Sequence, residues 1–256
     1  MHGLVAIFRK EMANFFVSPV AYAVIAIFLI IVGFFFWANV SLLSVISLQA
    51  ANNPMFAERI NLTDVVIRPL LQNMSIILLF LIPLLTMRLF SEEKKSGTIE
   101  LLLTYPVNDF GIVMGKFLAT LSVLLVMMAC TLSFLLIMAP LGSFDIGVFI
   151  SSYLGLILMG SSFIAMGVFI SSMTENQIIA GAISFGAALM FWMISWTSSF
   201  TGPTAGTIIR QVSILERLDS FLKGILVVSD VSFFVFFSAV FLFLTFRSIE
   251  TQRWRG

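Results

Sequence analysis

The chain has 256 residues, 60% of them hydrophobic and only 11% charged, with 28 phenylalanines and a formal net charge of +1. Soluble domains are about 45–50% apolar and about 25% charged. At a mean hydropathy of +1.09 this chain has too little polar surface to cover a water-soluble globule. A soluble enzyme, a nucleic-acid-binding domain and a disordered tail are excluded, and the chain reads as an all-α integral membrane protein. The one cysteine, Cys130, and the one histidine, His2, leave no disulfide framework, no cysteine metal cluster and almost no histidine chemistry.

In chain order, residues 3–18 come first, with Leu4, Ile7, Phe8, Met12, Phe15 and Phe16 at helical spacing around Arg9, Lys10, Glu11 and Asn14. That pattern suits an N-terminal helix lying flat in the membrane interface before the chain turns inward at Ser18-Pro19. A basic flank that only sets topology is the plainer reading.

Crossing a hydrocarbon core of ~30 Å takes roughly 20 apolar residues as helix. Charge-free runs predict six spans, at about 19–41, 69–88, 112–138, 147–171, 177–199 and 227–247. Pro69 falls in a first turn, where a missing N–H does little harm, and Pro83 predicts a kink. The first run is too long, and begins too late, for a cleaved signal peptide. The runs are also wrong for a barrel, which needs alternating strands of about ten residues.

With the N-terminus inside, Arg9, Lys10, Arg88, Lys94, Lys95, Lys116, Arg247, Arg253 and Arg255 fall on the cytoplasmic side. Arg59, Arg68, Arg210, Arg217 and Lys223 fall outside, so nine against five favours both termini in the cytoplasm. The 41–68 loop (Gln49, Asn52, Asn53, Pro54, Glu58, Arg59, Asn61, Asp64) is then external and shows no chemistry.

Two further segments lie between spans. In the cytoplasmic loop 88–111, Ser91 before Glu92 and Glu93 has helix-start chemistry. Gly97 breaks the segment, and Thr98 to Thr104 can form a short amphipathic helix that stops before Pro106. Either a docking element for a soluble partner or a solvated linker fits that composition. In residues 207–230, Ile208, Val212, Leu215, Leu218, Leu222 and Ile225 form one stripe, with Asp219 and Lys223 as an i,i+4 pair beside it. The stripe predicts an outer-leaflet amphipathic or re-entrant segment at 207–227.

The spans hold no ionisable group away from their ends, which disfavours a carrier driven by buried carboxylates; Asp230, near the outer end of the last span, reads as interfacial. Gly111 to Phe117 falls one residue short of a P-loop and lacks its Ser/Thr, and Gly181 to Gly186 misses the GxSxG spacing. Gly147, Ser151 and Gly155 line one face of the fourth span, and Ala180, Ser184 and Ala188 one face of the fifth. These are packing seams, within the chain or against a second copy. The fourteen methionines read as flexible packing, with no metal site.

The run Phe90-Ser-Glu-Glu-Lys-Lys-Ser-Gly-Thr-Ile-Glu-Leu-Leu-Leu-Thr-Tyr-Pro-Val, followed by Ile112-Val-Met-Gly-Lys-Phe-Leu-Ala, closely resembles the signature of bacterial ABC-2 type permeases. The resemblance takes in the Arg9-Lys10-Glu11 elbow, the six spans and Ser220-Phe-Leu-Lys-Gly224. That segment and the Arg253-Trp254-Arg255 ending look most like the gliding-motility and nitrous-oxide-maturation permeases.

The resemblance implies a dimer of permease chains, this one twice or with a homologous half, in the bacterial inner membrane. Two copies of a separate ATP-binding subunit would dock beneath it and hold the ATP and Mg²⁺, usually for export. This chain would have no cofactor and no ATPase site of its own. By position, Glu92, Glu93, Lys94, Lys95, Gly97, Thr98 and Glu100 become coupling-helix contacts with the ATPase, and Arg9, Lys10 and Glu11 belong to the connecting elbow. The rival reading is a self-sufficient carrier or channel. An intramembrane enzyme would need nucleophiles and bases that the chain lacks.

Overall fold

The computed structural model describes residues 2–51, 61–100, 108–138, 144–197 and 213–253. Outside them lie Asn52 to Arg59, Leu101 to Val107 with Pro106, the Pro140 turn, Ile208, Arg210, Val212, Trp254 and Arg255. The described helices are α1 (His2–Val17), α2 (Pro19–Ala51), α3 (Arg68–Thr86), α4 (Ser91–Lys95), α5 (Asp109–Met138), α6 (Ile146–Met173), α7 (Gln177–Thr197), α8 (Ile214–Leu222) and α9 (Val228–Arg253). Six of them, α2, α3, α5, α6, α7 and α9, lie within stretches long and apolar enough to cross a membrane.

The described helices depart from the expected spans most clearly at three ends. The first span does not stop at Ser41 but continues as helix to Ala51. Its serines do not break it, because Ser44 Oγ and Ser47 Oγ donate back to the carbonyls of Ser41 and Leu43 at 2.7 and 2.8 Å. At 33 residues, α2 is about 50 Å long at ~1.5 Å per residue and overshoots a single hydrocarbon core. Before α3, Thr63–Ile67 forms a π-helical turn where the sequence suggests loop, and Pro69 then occupies the first turn of α3. The last helix runs on to Arg253, with Arg247 paired to Glu250.

Within the chain α6 is central, packing against α9, α3, α8, α5 and α7. The most apolar windows of the second and fourth spans are each 72% buried, but that of the fifth only 17%, so α3 and α6 form the core and α7 keeps an outward apolar face.

Glycines set the closest approaches to α6. A Cβ on Gly155 would stand 2.7 Å from Phe221 Cβ, one on Gly160 would stand 2.5 Å from Leu124 Cδ2, and one on Gly167 would overlap Thr86 Oγ1. Of the expected seam, Gly155 packs inside the chain against α8, where Ser152 Oγ also donates to the Phe221 carbonyl at 3.2 Å, and Ser151 is buried, but Gly147 is exposed. Ala180, Ser184 and Ala188 are buried within the chain as well.

Gly155→Ala should lower the melting temperature in detergent, because overpacking costs typically about 1–3 kcal/mol. Gly186→Ala should leave it unchanged or raise it, since a Cβ at Gly186 meets nothing within 4 Å and alanine is the better helix former. Equal melting shifts for the two variants would contradict the packing described.

The 207–230 expectation needs a correction of register. Among the described residues α8 is nine residues long, capped by Ser213 Oγ accepting from Glu216 N, and it buries Ile214, Leu218, Phe221 and Leu222. Leu215 is only half-buried and Ile225 is exposed, because Gly224 at φ +80 ends the helix and redirects the chain. The Asp219–Lys223 pair forms at 2.5 Å on the exposed side. Asp230 is not left to interfacial water: it is buried and pairs with Arg217 at 2.8 Å, and that guanidinium sits 4.3 Å above the Phe233 ring.

Contacts fix the two ends of the bundle. At one end Arg68 Nε donates to the Leu222 carbonyl at 3.1 Å, and Asp145 N to Thr63 Oγ1 at 3.1 Å. At the other end α1, α4, the start of α5, the α6–α7 turn and the last turn of α9 converge.

Candidate functional site

The α1 end concentrates the charges, and one buried lysine organises them. Lys116 lies in the second turn of α5, beside Gly115, where a Cβ would stand 2.8 Å from Ile7 Cγ2. That glycine lets α1 lie directly on α5 and brings Glu11 over Lys116. The Lys116 side chain is 1% exposed, and its ammonium faces three oxygens: Glu11 Oε1 at 2.7 Å, the Leu89 carbonyl at 2.6 Å and Glu93 Oε2 at 2.9 Å. The contacts to Glu11 and the Leu89 carbonyl are hydrogen bonds, whereas Glu93 Oε2 stands within ion-pair range without accepting one. The Phe90 ring closes the site 5.0 Å away.

Glu93 Oε1 also accepts from Lys10 Nζ at 2.7 Å. Burial lowers the Lys10 pKa, but the hydrogen bond and charge of Glu93, with the charge of Glu11, outweigh it and hold the ammonium above its ordinary value. Two lysines and two glutamates thus form a charge-balanced cluster joining α1, α4 and α5. Removing one partner of a buried pair strands the other in low dielectric, which is the costly operation.

The 88–100 segment is fastened on its other side to α6. The backbone N–H groups of Phe90 and Ser91 donate to Ser171 Oγ at 3.1 and 3.2 Å, and Ser171 Oγ donates to the Met87 carbonyl at 3.1 Å. Lys94 Nζ donates to the Ser172 carbonyl at 2.5 Å, near the C-terminus of α6 where a cation is favoured, and Gln252 Nε2 reaches the same carbonyl at 3.2 Å. Ser91 does not cap α4 as its sequence suggests. Its hydroxyl donates back to the Met87 carbonyl, and the free N–H groups are met by Ser171.

Gly97 does break the segment, at φ +70 with open space around it, and a new helix begins at Thr98. The rest of the expected 98–104 helix lies outside the described residues. The expected site residues therefore separate into two sets. Glu11, Glu93 and Lys94 point into the protein and hold it together, with Lys10 at the rim. Arg9, Glu92, Lys95, Gly97, Thr98 and Glu100 are exposed, Glu92 pairing with Arg88 at 3.2 Å.

Sequence reasoning missed Lys116, which reads as a topology-setting charge, and the serine pair Ser171-Ser172. A charge inside the first turns of a span, with unpaired glutamates at the same end, was the available signal for Lys116. Nothing local marked the serines.

Between α1, the end of α3 and the 88–98 segment lies a cleft of about 530 Å³. Lys10, Asn14, Arg88 and Glu92 stand on its polar side, and Phe15, Val17, Val20, Leu84, Leu85 and Leu89 on its apolar side.

Six helices long and apolar enough to cross a membrane, with the charges gathered at one end, define a multi-pass membrane protein. A profile for the ABC-2 family transporter proteins matches residues 5–222, and the chain belongs to that family. Its members are membrane subunits, typically without an ATPase site of their own, that generally work with an ATP-binding subunit. No curated protein matches the chain significantly.

Proposed function

We propose that the chain is the permease subunit of an ATP-binding cassette exporter, moving its substrate with energy from ATP and Mg²⁺ bound in a separate ATPase. The complex contains two permease chains and two ATPase copies. The α1 end faces the cytoplasm of a bacterial inner membrane, and the chain resembles the gliding-motility and nitrous-oxide-maturation permeases in Ser220-Phe-Leu-Lys-Gly224 and the Arg253-Trp254-Arg255 ending. The charge bias supports this orientation: the α1 end carries Arg9, Lys10, Arg88, Lys94, Lys95, Lys116 and Arg247, against Arg68, Arg217 and Lys223 at the other end among the described residues.

One observation carries the reading. The 88–100 segment is anchored on both sides, to α1 and α5 through Glu93 and to α6 through Ser171 and Ser172, yet it presents Glu92, Lys95, Thr98 and Glu100 outward. A force applied to that exposed rim reaches three transmembrane or interfacial helices at once, as a coupling element requires. Glu100→Lys, or deletion of 96–104, should abolish transport and partner-stimulated ATP hydrolysis without reducing membrane insertion. Unchanged coupling of ATP hydrolysis in a normally inserted Glu100→Lys variant would overturn the docking assignment.

A further inference from the structure

We infer that the cleft between α1, the end of α3 and the 88–98 segment holds the headgroup of a zwitterionic phospholipid. Its size, about 530 Å³, falls within the range of about 300–1,000 Å³ typical of ligand sites. It lies at Ser18, where the chain passes from α1 into the first span, so its mouth stands at the level of a membrane surface. Val17 and Leu84 at that mouth are exposed apolar side chains, and Val20, Leu85 and Leu89 continue the apolar wall inward. One side therefore suits acyl chains and the other a polar group.

The hydrogen-bond accounting identifies that polar group. The three carboxylates on the cleft each face a cation: Glu11 with Lys116, Glu93 hydrogen-bonded to Lys10 and ion-paired with Lys116, and Glu92 with Arg88. The remaining capacity is mostly donor. Lys10 Nζ uses one of its three N–H groups, on Glu93, and Arg88 uses Nε and Nη2, on Glu92, leaving Nη1 without a partner among the described residues. The Asn14 side chain makes no hydrogen bond among the described residues and adds two more donors. Donors of this kind, gathered at a lipid-facing mouth, fit phosphate oxygens.

The formal charges on the cleft, Lys10, Arg88 and Lys116 against Glu11, Glu92 and Glu93, cancel. No net field draws in a free polyanion, so retention needs the apolar wall as well as the donors. Arg88 takes one lone pair on each Glu92 oxygen, and the half-exposed carboxylate at the rim keeps others that match the ammonium of a zwitterionic headgroup.

The test uses the purified full chain in micelles doped with phosphatidylethanolamine carrying a photoreactive diazirine in its acyl chain, with the labelled peptides mapped by mass spectrometry. Labelling is expected at 17–20 and 84–89. It should fall about tenfold in Asn14→Leu/Arg88→Gln, which leaves the Lys10–Glu93–Lys116 cluster intact, and persist in Arg88→Lys, which keeps the charge. Excess unlabelled phosphatidylethanolamine should displace the probe, whereas glycerophosphoethanolamine and inorganic phosphate should not. Unchanged labelling in the double variant, equal displacement by phosphatidylglycerol, or displacement by inorganic phosphate would each overturn the assignment. The readout involves no ATPase, so its failure would leave the permease reading standing.

Discussion

Lys116→Met should be among the most damaging single substitutions in the chain. It keeps the volume but leaves Glu11, 5% exposed, with no cation at 2.7 Å and the Leu89 carbonyl with no donor. Breaking a buried pair costs about 3–5 kcal/mol. At about 2–4 °C per kcal/mol for a chain of this size, the apparent melting temperature in detergent should fall by roughly 6–20 °C. Glu11→Met/Lys116→Met should be more stable than either single variant, because an apolar replacement of both partners removes the stranded charge. Glu93 keeps Lys10 in that variant.

The double variant also separates folding from coupling. With stability recovered but the tie between α4 and α5 cut, partner-stimulated ATP hydrolysis should persist while transport falls. Full transport in the stabilised double variant would make the cluster a folding device only. A single variant that melts like the wild type would contradict the buried geometry itself.

The second large effect is expected at Gly167→Ala. Its new Cβ would overlap Thr86 Oγ1 and lie 2.7 Å from Thr86 Cβ, an atom close to the α3 backbone that has no rotamer to escape into. Thr86 is fully buried and its hydroxyl bonds to the Ile82 carbonyl at 3.1 Å, so α3 and α6 must separate to admit the methyl group. Overpacking of this kind costs about 1–3 kcal/mol or more. Thr86→Ala removes the nearest atom, so Gly167→Ala/Thr86→Ala should melt above the value expected from adding the two single effects. Strict additivity in that cycle would show that the two helices are not in contact there.

The parts legible in the sequence were those written in composition and local pattern. Long gaps between charges marked the six spans, the Ser18-Pro19 break marked the α1–α2 junction, and Gly97 marked the turn in the 88–100 segment. The misses have physical causes. The extension of α2 through Ser41 to Ala51 follows from serines that satisfy themselves on preceding carbonyls, so polarity there did not mean loop. The register of α8 depended on Gly224 at φ +80, which a stripe drawn through Ile225 ignores.

The Lys116 cluster joins residues 105 apart in sequence, and no local pattern encodes that pairing. Once the helices are assembled its logic is plain, because a charge so close to the start of a span must find a counter-charge or reach water. The glycines at 160 and 167 were equally silent. Only the neighbouring helix reveals which small residues are contacts and which, like Gly186, face open space.

The central claim, a permease driven by a separate ATPase, is tested most directly by gentle extraction of the tagged chain from its native membranes. Co-purifying proteins would be identified by mass spectrometry and the intact assembly weighed by native mass. A Walker-type ATPase is expected at one copy per permease chain, in an assembly with two of each. Recovery of the chain alone under several mild conditions, with transport by the purified chain in liposomes under an ion gradient and without ATP, would contradict it.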